Sequence, residues 1–148
     1  MTFSELPTGN LDEWLAELKP YQQKTMRELL QSVSEEEAAM RWVSAQGPSN
    51  IVAFGGAQDA KPFWDRFKAE FRRFLCDDEA YVEDKKALSG HATATKTLLI
   101  SSLSAAIGAS IGQAATLLAP AVTVMLFLAA KMGRNAFCAT GDSEPQAG

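Results

Sequence analysis

The sequence predicts an all-α protein, a small amphipathic helical bundle followed by a C-terminal hydrophobic helical hairpin. Three observations predict it. Thr97 to Ala130 is thirty-four residues without one charge, closed at its ends by Lys96 and Lys131. Residues 1 to 96 hold sixteen acids and twelve bases, and their apolar side chains recur at helical intervals. Asn10 with Glu13, and Ser34 with Glu37, have the spacing of a capping box, in which each residue satisfies the other's backbone N–H at a helix start.

In chain order, residues 1–9 read as a flexible arm. Leu11, Trp14, Leu15 and Leu18 then form the apolar side of a short first helix that Pro20 interrupts. A second helix runs from Pro20 to about Val33 through Met26, Leu29 and Leu30. Ser34 starts a third, through Ala38, Ala39, Trp42 and Val43, whose first-turn acids Glu35, Glu36 and Glu37 suit the positive end of the helix dipole better than they suit a metal. Between Gln46 and Lys61 the periodicity lapses at Gly47-Pro48-Ser49-Asn50 and Gly55-Gly56. The short run Ile51 to Phe54 between them is read as a loop tucked into the bundle. Pro62 opens a strongly amphipathic helix with Phe63, Phe67, Phe71 and Phe74 on one face and Asp65, Arg66, Lys68, Arg72 and Arg73 opposite. That phenylalanine stripe is read as core, with a partner-binding face as its functional alternative. A further helix spans Ala80 to Leu88. Residues 10–90 thus read as a helical cytosolic module, residues 91–138 as the hydrophobic, small-residue-rich hairpin, and residues 139–148 as a disordered tail.

The hairpin has two unlike arms. In the first, Leu99, Leu103, Ile107 and Ile111 make a narrow aliphatic stripe beside a strip of small residues, Ser104, Gly108 and Gly112. A GxxxG spacing lets a second backbone approach closely, so this strip is the expected self-association seam. The second arm is apolar on every face, as a helix fully buried in protein or lipid would be. Pro120 is suited to the first position of a helix and disfavours a helical Ala119, which places the helix break there. Lys96, Lys131 and Arg134 would mark membrane boundaries and, by the charge-bias rule, keep both ends on the cytoplasmic side.

Chemistry is sparse. His91 is the sole histidine, which excludes a multi-histidine metal site and leaves acid-base pairs only with Cys76 or Cys138. Gly90 to Thr97 approaches a phosphate-binding loop, but Thr95 stands where the second glycine belongs and a helix precedes it instead of a strand. A net charge of -4 and a pI near 5.0 argue against a nucleic-acid binder. Two cysteines are too few for a disulfide scaffold, and the opening residues lack the basic and apolar regions of a signal peptide, so reduced thiols in the cytoplasm are expected.

The sequence therefore predicts no enzyme, cofactor or metal. It predicts a self-associating helical protein, held at the cytoplasmic membrane by lipid contacts of its hairpin, with the N-terminal module in the cytosol for regulation or docking to an unidentified protein. The alternative is a soluble cytoplasmic scaffold or interaction protein in which the hairpin is the buried core.

Overall fold

The computed structural model describes residues 6–7, 9–46, 60–77, 79–89 and 95–143. The Ile51 to Phe54 run, His91 and residues 144–148 lie outside them. The described residues form eight helices and no strand: α1 (Leu11–Leu15), α2 (Pro20–Leu30), α3 (Glu35–Gln46), α4 (Ala60–Cys76), α5 (Val82–Ser89), α6 (Lys96–Ile111), α7 (Ala115–Met132) and α8 (Arg134–Ser143).

Local chemistry sets the early boundaries. Asn10 Oδ1 accepts the Glu13 N–H at 2.9 Å while Glu13 Oε1 accepts the Asn10 N–H at 2.9 Å, which starts α1 with the reciprocal box its spacing predicts. Pro20 is the first residue of α2, where its missing donor costs nothing. Ser34 Oγ accepts the Glu37 N–H at 3.2 Å and starts α3. The acids behind it are engaged at the surface: Glu37 with Arg41 at 2.8 Å, and Glu36 with Lys68 of α4 at 3.2 Å. Such exposed pairs contribute at most about 1 kcal/mol each, so they orient these helices more than they stabilise them.

The chain breaks between the apolar helices earlier than the proline implied. Gly112, at φ 79°, ends α6 in the left-handed conformation, and the N–H groups of Gly112 and Gln113 both donate to Gly108 O, at 2.8 and 2.9 Å. A glycine closes a helix this way without steric penalty. Pro120 instead lies inside α7, five residues past its start. The placement of the break at Pro120 is corrected to Gly112–Ala114, and a second correction follows downstream. Gly133, at φ 95°, ends α7, and α8 carries helix on to Ser143, so residues 139–143 are helical where a disordered tail was expected.

The interior is one connected apolar cluster reaching from Trp14 to Phe137, and it crosses residue 90 without interruption. α7 stands at its centre, in contact with α1, α2, α3, α6 and α8; α4 packs on α3, α6 and α8.

Candidate functional site

The best-built feature of the molecule is the setting of α7. A proline inside a helix removes one N–H and crowds the carbonyl four residues back, a cost of about 3 kcal/mol. Here the carbonyl it deprives, Thr116 O, is supplied from the N-terminal helices, and two carbonyls beside it receive side-chain donors as well. Gln22 of α2, only 2% exposed, donates from Nε2 to Thr116 O at 3.1 Å. Trp42 of α3 donates from Nε1 to Leu117 O at 2.7 Å. Thr123 Oγ1 donates to Ala119 O at 2.7 Å from within α7 itself. Beyond this polar collar, Ala121, Val122, Thr123, Val124, Met125 and Leu126 are all buried. We expect Trp42→Phe to lower stability by about 1–2 kcal/mol and Gln22→Leu by about 1 kcal/mol, the second less because Thr116 borders solvent. Urea unfolding checks both, and two neutral variants would show that the carbonyls do not need these donors.

The sequence-predicted residues fall as follows. Ser104 is 2% exposed and Gly108 is buried, so within this chain the seam predicted for a second copy is covered by the chain's own helices. A Cβ at Gly108 would stand 2.4 Å from Gln113 O, which explains the glycine by the turn into α7. Gly112 is exposed and is required by its positive φ. Ser104 Oγ is buried without a hydrogen-bond partner. Gly108→Ala is therefore expected to lower the free energy of unfolding by about 1–3 kcal/mol through overpacking, read by urea unfolding, whereas Ser104→Ala should leave stability unchanged or raise it, because a buried hydroxyl without a partner is unfavourable.

Phe63, Phe67, Phe71 and Phe74 are all buried, in line with the reading of the stripe as core and against its alternative of a free partner face. Lys96 Nζ lies 5.3 Å from the centroid of the buried Trp14 ring, and Lys131 Nζ lies 5.5 Å from that of Phe127. Arg134 begins α8.

A disulfide joins Cys76, the last residue of α4, to Cys138 in α8, with Cα atoms 5.7 Å apart. The expectation of two reduced thiols is thereby overturned, along with any cysteine-histidine pair while the bond stands. The packing around it explains the encounter. Phe137 meets Phe71 edge-on at 5.8 Å, and Arg72 donates from Nη2 to Phe137 O at 2.6 Å with its guanidinium 4.5 Å over the Phe137 ring. Helix α8 is thus fixed to α4 directly beyond the C-terminus of α7. Both cysteines are half-buried.

No known protein family, curated protein or solved structure matches the chain. The site must be read from its own geometry. Among the described residues no group of three His, Cys, Asp or Glu is placed to hold a metal. A shallow cleft between α3 and α4, lined by Ser34, Glu36, Glu37, Met40 and Trp64, is open to solvent.

One polar cluster lies outside the α7 collar. Tyr81, at φ 54°, donates from its hydroxyl to Glu70 Oε1 at 2.5 Å and stands 2.8 Å from Ser110 Oγ, tying α4 and α6 through the residue before α5. Burial and the bond to Glu70 push its phenol from 10.0 up to about 12. The folded state holds this proton more tightly than the unfolded chain does. Its stabilisation is therefore full below pH 10.0 and is lost as pH rises through about 12. Alkaline unfolding should show that loss in the native chain and lack it in Tyr81→Phe.

Proposed function

We propose that this is a soluble, non-enzymatic helical interaction protein in which the apolar pair α6 and α7 forms the buried core. The observation that carries the reading is the pair of long-range bonds to the α7 carbonyls, from Gln22 across 94 residues and from Trp42 across 75. Pro120 frees Thr116 O, to which lipid offers no donor, whereas Gln22 supplies one and Trp42 adds a second tie at the neighbouring Leu117 O. The buried centre of α7 supports it further. The disulfide favours an oxidising compartment over the cytosol, and with Ser104 and Gly108 covered we place no self-association there.

The membrane reading keeps one favourable observation. α7 is 18 residues long, apolar enough to cross a bilayer by length and composition, and half buried within the chain. Its final turns expose apolar surface, with Met132 44% exposed.

Alkaline carbonate extraction separates the two. A protein released without detergent, and monomeric by sizing in plain buffer, is expected; retention in the membrane pellet would sink the soluble reading.

A further inference from the structure

We propose that the Cys76–Cys138 disulfide is a redox latch, whose reduction frees α8 and allows α6 and α7 to pass from the bundle into a lipid bilayer. The inference rests on the reading of α7 as core in the resting, oxidised protein.

Three features point to it. The bond closes a stretch with a sequence separation of 62 that contains all of α5, α6 and α7 and leaves α1 to α3 outside. Of the helices that cover α7, α6 and α8 belong to the linked part of the chain, and α8 is held on the bundle by the latch, while α1 to α3 lie on the unlinked part. Second, both cysteines are half-buried, within reach of a small dithiol. Third, the part of α7 beside the latch is incompletely covered: Phe127, Leu128 and Ala130 are only partly buried and Met132 is exposed. Once α8 lets go, this apolar end is uncovered first.

α7 also fits its proposed destination, with the 16-residue α6 as the shorter arm beside it. At 1.5 Å per residue, the 18 residues of α7 approach the roughly 30 Å thickness of a bilayer's hydrocarbon core. The turn at Gly112 to Ala114 carries no charge, so it can cross lipid without taking an ion with it. Thr116 O, which gives up the Gln22 donor on entry, lies in the first turn of α7 beside it, where interfacial water replaces that donor. Loss of the cross-link shifts the opening equilibrium by roughly three orders of magnitude, on the loop-closure scale for this separation.

The reaction is an ordinary thiol–disulfide exchange. A dithiol, as its thiolate, attacks one sulfur of the pair and forms a mixed disulfide while the other cysteine leaves as a thiolate. The second thiol of the reductant then closes its own cyclic disulfide and releases the remaining cysteine. The protein gains two electrons and two protons, one proton on each Sγ, and the dithiol is oxidised by the same two electrons.

Flotation with vesicles of phosphatidylcholine and phosphatidylglycerol tests this on the full chain, with and without dithiothreitol. The oxidised protein is expected to stay at the bottom of the gradient. Reduction should raise the floated fraction about tenfold or more, and protease treatment should leave a lipid-protected fragment containing Ala115–Met132. The double variant C76S/C138S should float without reductant. Should that variant fail to fold, native protein reduced in place and then reoxidised serves instead, with lipid binding expected to appear and to reverse. The latch is overturned if reduced protein does not float, if it floats without a protected fragment, or if it associates only with further copies of itself. Flotation of the oxidised protein would instead sink the resting-state reading on which the latch depends.

Discussion

Replacing Cys76 and Cys138 together by serine is expected to lower the free energy of unfolding by about 4 kcal/mol, from loop closure at a sequence separation of 62. For a chain of this length that corresponds to a fall of about 10 °C in melting temperature. Reduction of the native chain should reproduce the change, measured by urea unfolding with and without dithiothreitol. The effect is large because domains of this size hold only about 5–15 kcal/mol in total. A loss below about 1 kcal/mol would mean that the Arg72 and Phe137 contacts already hold α8 in place and that the bond adds little.

Phe71→Ala is the second large effect. Its ring is fully buried, 6.3 Å from Phe67 and edge-on to Phe137 at 5.8 Å, so truncation opens a cavity where three aromatic rings meet. The expected cost is about 3–5 kcal/mol. A partner-binding phenylalanine would behave differently, losing a complex while the isolated protein kept its stability. Thermal unfolding of the isolated variant therefore decides between core and docking face. A double-mutant cycle with Phe137→Ala should return a coupling of about 0.5–1.5 kcal/mol, because the two rings touch.

Features governed by neighbours in sequence were legible. The Asn10 and Glu13 box, Pro20 at a helix start, Ser34 ahead of three acids and the phenylalanine spacing of α4 all act within a turn or two, and each is found where it was expected. Features governed by distant parts of the chain were not. Pro120 reads as a break because nothing beside it supplies Thr116 O, the carbonyl it deprives; the donor, Gln22, belongs to α2, and Trp42 of α3 ties the next carbonyl. A glutamine among the buried positions of α2 was the signal available, and it had no assignable partner without the fold. The strip of Ser104 and Gly108 reads as a seam for a second copy, but it is buried within the chain, with Gly108 set against the carbonyl of Gln113 in the turn that follows. Two cysteines with a sequence separation of 62 carry no spacing signature, and α8, which one of them joins to α4, runs on through residues 139–143.

The collar around Pro120 also dictates an order of events during synthesis. α1 to α3 leave the ribosome first, yet the backbone groups that Gln22 and Trp42 must reach belong to Thr116 and Leu117, some seventy to ninety residues behind them. At about 5–20 residues per second the early helices wait several seconds without their central element. When that element emerges it is the most water-averse stretch of the polypeptide, so nascent chains stalled between its appearance and its docking should be the form that chaperones capture.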